Sequence, residues 1–148
     1  MDALDIKILR ALGANARMKA SAISKEINLS VSAVIERIHK LEDSGVIAGY
    51  TTVLDQKCLG NDISAWMEVC LEHPKHYDNF VAQAQKIDHI LACHYLTGDF
   101  DFMLHVVARS SEALEGIHHK IKKIEGVSAT KTHFVLKTVK NNSCLLPK

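Results

Sequence analysis

Apolar positions recur at helical spacing through the first third of the chain. Leu4, Ile8, Ala11 and Leu12 fall at i, i+4, i+7 and i+8 and define one helical face, which Gly13 and Asn15 close. Ala20, Ile23, Ser24 and Ile27 predict a second helix of about two turns. Asn28 tolerates the left-handed conformation of a tight turn, and Ser30 is a good N-cap for a third helix. That helix carries Val34, Ile38 and Leu41 on one stripe with Ile35 beside it, and Gly45 is its natural stop. Residues 46–54, "VIAGYTTVL", are rich in Val, Ile, Thr and Tyr and predict a strand. Helix, short helix, tight turn, longer helix and strand make a winged helix-turn-helix.

Beyond residue 60 the period shifts to two. Ile63, Ala65, Met67, Val69 and Leu71 alternate as one face of a strand. Pro74 suits a first helical turn, and Tyr77, Phe80, Val81, Ala84 and Ile87 follow at helical spacing. "HILACHYLT" predicts a strand, and the next alternates Phe102, Leu104, Val106 and Ala108. Ser110 and Ser111 can cap a helix holding Leu114, Ile117, Ile121 and Ile124, ended by Gly126. "VSATKTHFVLKTV", residues 127–139, is the last strand. The order βαββαβ is the ferredoxin-like pattern, so the chain as a whole is α+β.

Two helices cover only one face of such a sheet. The other face would carry Trp66 and Cys70, then Met103, His105 and Val107, then His133 and Val135. That surface is too apolar to stay solvated, and such patches mark association sites. A second copy is the expected partner, with Trp66, Met103, His105, Val107, His133 and Val135 at the interface. A symmetric DNA reader also needs a two-fold mate.

Composition narrows the function. The 148 residues are 47% hydrophobic and 24% charged, which is globular. No apolar run can span a bilayer, and the start "MDALDIKILRAL" is no secretory signal, so a soluble cytoplasmic protein without membrane partners is expected. Cys58, Cys70, Cys93 and Cys144 form no C-x-x-C and read as free thiols. The nine histidines show no ligand spacing. His118 and His119 are adjacent and diverge on a helix, and His94, His105 and His133 lack a supporting carboxylate or thiolate pattern. No metal or cofactor is expected.

Net charge is only +1, and the halves are balanced: eight Lys/Arg against seven Asp/Glu in residues 1–60, ten against ten thereafter. Placement says more than the sum. In a helix-turn-helix the second helix enters the major groove with its N-terminal residues leading. Its expected DNA-facing residues are Ser30, Ser32, Ala33, Glu36, Arg37 and Lys40, a set suited to phosphates and base edges. A plain three-helix bundle with a charged solvated face is the alternative.

Two carboxylates, Asp99 and Asp101, interrupt the strand-like run "HYLTGDFDFMLHVVAR". Unpaired carboxylates are costly to bury, so they are catalytic acids, metal ligands, turn residues or the lip of a binding site. No nucleophile, phosphate loop or metal motif accompanies them, and the chain does not read as an enzyme.

These segments together resemble the leucine-responsive regulatory protein family, Lrp/AsnC. "LDIKIL", "NARMKASAIS" and "LSVSAVIERIHKLEDSGVIAGYTTVLD" match its N-terminal signature, and "TGDFDFML", "IEGV" and "TKTHFVLKTVK" its C-terminal half. Two departures are Lys19, where members often place a Ser-like cap, and Asn28 in place of the usual turn Gly. The resemblance implies a transcription regulator on double-stranded DNA that dimerises, assembles into rings such as octamers, and responds to a small amino acid. It implies a DNA-binding domain at 1–50, a linker strand at 51–61, and an effector-binding and oligomerisation domain at 62–148. It puts "GDFD" at a hairpin tip between dimers, making Gly98, Asp99, Phe100 and Asp101 the expected effector contacts. Chemically, an aspartate would receive the ligand ammonium and the Gly98 backbone its carboxylate. Met103 and Phe134 favour a leucine- or methionine-like ligand over a polar one such as asparagine or lysine. An effector-independent architectural DNA binder, and a small ferredoxin-like enzyme or metal sensor, are the competing readings.

Overall fold

The computed structural model describes residues 1–142 and 144–146. The expected second domain runs to 148, so its residues 143, 147 and 148 lie outside the described ones. The chain divides into two compact units, one of residues 1–53 with the C-terminal segment from Lys140, the other of residues 54–139.

The first unit is built on three helices, α1 (Ala3–Ala14), α2 (Ala20–Ile27) and α3 (Val31–Asp43). Asp2 caps α1 through a capping box, its carboxylate taking the Leu4 and Asp5 N–H groups while Asp5 takes the Asp2 N–H. Lys19 starts α2 with no side-chain cap. Asn28 turns the chain at φ 55°, and the Ser30 hydroxyl accepts the Ala33 N–H to start α3. The apolar stripes meet in a core of Ile8, Ile23, Ile27, Val34 and Leu41.

The expected wing strand does not form. Residues 46–55 carry no regular element, and 56–60 are a turn, so the linker over 51–61 is not a strand either. Strand propensity is present, but among the described residues no neighbouring strand pairs with this segment; the Ile47 N–H donates to the Leu41 carbonyl at 3.0 Å. Asp55 instead accepts the Lys57 and Cys58 N–H groups at 2.9 and 3.4 Å, and Gly60 at φ 83° closes the turn.

The second unit follows the βαββαβ order. Its elements are β1 (Ile63–Leu71), α4 (Tyr77–Ala84), β2 (Ile90–Tyr95), β3 (Phe102–Ala108), α5 (Ser111–Lys122) and β4 (Val127–Phe134), with a 3₁₀ turn at Pro74–His76 leading into α4. The sheet order is β2-β3-β1-β4 with every neighbouring pair antiparallel. Ala65, Met67 and Val69 of β1 and Phe102, Leu104, Val106 and Ala108 of β3 face both helices, which bury Phe80, Ala84, Leu114, Ile117 and Ile121 against them. Four expected elements end early: α5 stops at Lys122, short of Ile124, and β2 at Tyr95, short of residue 97. Helix α4 stops at Ala84, and Ile87 reaches the core from the following turn. Strand β4 stops at Phe134, and the Val135 N–H makes one further bond to the Ser64 carbonyl at 2.9 Å.

Candidate nucleic-acid interface and ligand loop

Helix α3 presents Ser32 and Glu36 to solvent, with Ala33 half-buried. Val31 and Ile35 are also exposed, at 42% and 41%. Neither is among the expected DNA-facing residues, because apolar side chains on a helix ordinarily pack into the core. Their exposure beside Ser32 suits contact with thymine methyl groups. Lys40 pairs with Glu36 one turn away at 2.7 Å, which holds the Glu36 carboxyl below its ordinary range. The Ser30 hydroxyl is taken by its capping bond and lies 3.1 Å from that of Ser32.

Arg37 is the largest departure from expectation. Its guanidinium turns away from solvent towards the start of α1, where Nη1 donates to Asp5 Oδ1 at 2.7 Å and Asp2 Oδ2 at 2.8 Å. The bonds from Asp5 and Asp2 raise the Arg37 pKa above its ordinary value. The Asp5 backbone N–H, followed by Arg37, lowers the Asp2 carboxyl.

The "GDFD" loop joins β2 to β3. Gly98 has φ 129°, a conformation that side-chain-bearing residues rarely adopt. The two aspartates have different environments. The Asp101 carboxylate accepts the Leu71 N–H at 2.7 Å, and its own N–H donates to the Val69 carbonyl at 3.0 Å. Asp101 therefore closes the end of β1, where the ladder with β3 has stopped at Val69–Phe102. Asp99 is exposed, its backbone carbonyl 3.7 Å from the Cys70 sulfur, and Phe100 is half-buried.

On the sheet face away from the helices, Trp66 stacks on His105 at 4.8 Å, and His105 Nε2 lies 2.8 Å from the Ser64 hydroxyl. Burial lowers the His105 pKa. His133 meets Glu68 at 2.9 Å, a polar pair in the middle of a face expected to be mainly apolar. Met103 and Val135 are half-buried and His133 is exposed. Val107 is only 3% exposed within the single chain, so it differs from the other expected interface residues. It lines a cleft of about 470 Å³ with Ser64, His105 and Val135. Among the described residues, no three His, Cys, Asp or Glu side chains converge on a metal position, and Cys58, Cys70, Cys93 and Cys144 are free thiols. No described helix is long and apolar enough to cross a membrane.

Comparison with known proteins matches two family descriptions in series. An AsnC-type helix-turn-helix domain covers residues 1–42, and an Lrp/AsnC ligand binding domain covers residues 64–145. The leucine-responsive regulatory protein of Haemophilus influenzae is 33% identical over all of this chain and 91% of its own length. A transcriptional regulator of Neisseria meningitidis, solved as a complex with L-Met, superimposes with a TM-score of 0.93 at 28% identity, covering 98% of this chain and 96% of that one. The feast or famine regulatory protein of M. tuberculosis, complexed with L-methionine, gives 0.91 at 28% identity, covering 99% of both.

Proposed function

Since the chain belongs to the Lrp/AsnC family of transcription regulators, we propose that it binds specific duplex DNA through α3 and that a small amino acid controls this binding. Residues 1–50 serve as the DNA-binding domain, 51–61 as the linker, and 62–148 as the effector-binding and assembly domain, in a cytoplasmic protein. The observation that carries the DNA reading is the α2–turn–α3 unit. Asn28 in the left-handed region turns the chain between α2 and α3 and the Ser30 cap starts α3, and the exposed start of α3 offers Val31, Ser32, Ile35 and Glu36 to a groove.

The effector site lies at the 98–101 loop. Asp99 receives the ligand ammonium, because Asp101 already spends one carboxylate oxygen on Leu71. Gly98 admits the ligand carboxylate to the backbone, and Phe100 contributes apolar contact. A methionine- or leucine-like ligand is favoured, in keeping with the L-methionine bound to two relatives of the same fold. The open sheet face around Trp66, Met103 and His105 pairs two copies, and loop contacts between such dimers build a higher oligomer such as an octamer. A ligand shared between copies changes assembly because its affinity differs between the assembled and separated states.

The deciding experiment is a thermal-shift screen of the twenty amino acids, followed by calorimetry with the best and by duplex DNA titration at several salt concentrations. Salt-dependent, sequence-selective DNA binding altered by one amino acid supports the proposal. Selective DNA binding that no amino acid alters would leave an architectural binder, and no DNA binding would remove the regulatory reading for this chain.

A further inference from the structure

The contact between Arg37 and the start of α1 does more than join two helices. We infer that Arg37, Asp2 and Asp5 form a strut that fixes the rotation of α3 about its own axis, making Arg37 a positioning residue for DNA reading and not a phosphate contact. The inference rests on the proposed DNA reading and assigns a role within it.

All four carboxylate oxygens of the cluster are engaged. Asp2 Oδ1 accepts the Leu4 and Asp5 N–H groups at 2.9 Å, and Asp5 Oδ2 accepts the Asp2 N–H at 2.8 Å. The two remaining oxygens, one from each aspartate, converge on Arg37 Nη1. The acceptors are therefore held rigidly by the capping box before the guanidinium arrives. The cluster sets one cation against two carboxylates, so it presents net negative charge, which repels a phosphate.

The packing of α3 explains why a strut is needed. Its own Val34 and Leu41 share one core with Ile8 of α1 and with Ile23 and Ile27 of α2, and apolar contact is non-directional, so it fixes the roll of the helix less sharply than a directional bond does. Charge-assisted hydrogen bonds are directional. Side-chain tips stand about 5–6 Å from a helix axis, so a roll of about 10° moves them by about 1 Å. Base-edge hydrogen bonds tolerate little of that. Ser32 and Glu36 are on the same rigid helix as Arg37, so fixing one fixes the others.

The test uses the full chain and two probes: a duplex enriched by in vitro selection with the wild type, and a scrambled duplex of the same length. The variants are Arg37→Gln, Arg37→Lys and the double change Asp2→Asn with Asp5→Asn, all titrated well below the Tm of the least stable. Each should weaken binding to the selected duplex by about fivefold or more, as members of one coupled network, and affect the scrambled duplex less. The salt slope should stay as in wild type. The double aspartate change gives the sharpest test, since removing negative charge beside DNA would by itself strengthen binding. Wild-type or tighter affinity in that variant overturns the inference. So does a salt slope flattened by about 0.9 in Arg37→Gln, the mark of one lost phosphate contact. Selection that enriches no sequence overturns the DNA reading itself, and the inference with it, and is distinguished by appearing in the wild type.

Discussion

What a side chain can offer a ligand depends on what already holds it, and the two aspartates of the loop illustrate this. Asp101 holds the end of β1 through Leu71. Asp101→Ala leaves that N–H without its partner and should cost about 1–3 kcal/mol in urea denaturation. Asp99 is exposed, so Asp99→Asn should change stability by less than about 0.5 kcal/mol. The same variant should weaken binding of the amino acid selected by the thermal-shift screen by about tenfold in calorimetry, the worth of one charged hydrogen bond. Unchanged ligand affinity in Asp99→Asn would return the loop to a plain turn. His105 gives a pH dependence. Its pKa is lowered by burial, so below the ordinary value of 6.5 the unfolded chain binds the proton more readily than the folded one. The stability it confers is complete above that value and is lost as pH falls through the folded pKa. Denaturation at about pH 7.5 and about pH 5.5 should show this loss in wild type and a smaller one in His105→Gln.

At the scale of elements, the helix starts differ in a way that mutation can measure. Ser30 caps α3 through Ala33, whereas Lys19 gives α2 no side-chain bond. Ser30→Ala should therefore cost about 1 kcal/mol, and Lys19→Ser should gain a similar amount or less, both read by urea denaturation. Gly126, just ahead of β4, leaves no room for a side chain, because a Cβ there would overlap the His76 ring; its φ is 91°. The loop between α5 and β4 is thus fixed by packing as well as by backbone freedom. The element order was legible because each helix or strand declares itself within its own few residues. The ends of α4 and β4 were less legible. Ile87 and Val135 keep the apolar pattern going after the hydrogen-bonded element has finished.

At the scale of the whole molecule, the open sheet face is the surface that self-association would cover. Trp66 is half-exposed and stacked on His105, so it is a better probe of self-association than Val107, which is buried in the single chain. Trp66→Asp would put an unpaired charge into an apolar contact, which is strongly destabilising there. Sedimentation of the full chain should show wild type as at least a dimer and the variant shifted towards monomer. A wild-type monomer at micromolar concentration would remove the proposed assembly. Glu68 was not among the expected interface residues, yet it is paired with His133 in the middle of this face. Alternation alone places Glu68 there, but only the register of β1 against β4 brings it to His133.

By itself the sequence determined the three N-terminal helices, the βαββαβ order after them, the cap of α3 and the turn at Asn28, because each depends on neighbours a few residues away. It also determined which strand faces are apolar, since side chains alternate at every step. The tertiary structure decided the partners that polar groups find across long separations. Arg37 meets aspartates 32 and 35 residues away, and Asp101 meets a backbone N–H 30 residues away. It also decided that residues 46–55 form no strand and that Val107 is covered. Strand propensity and apolar character are local, but a hydrogen-bonding partner or a covering side chain must be brought there by the rest of the chain.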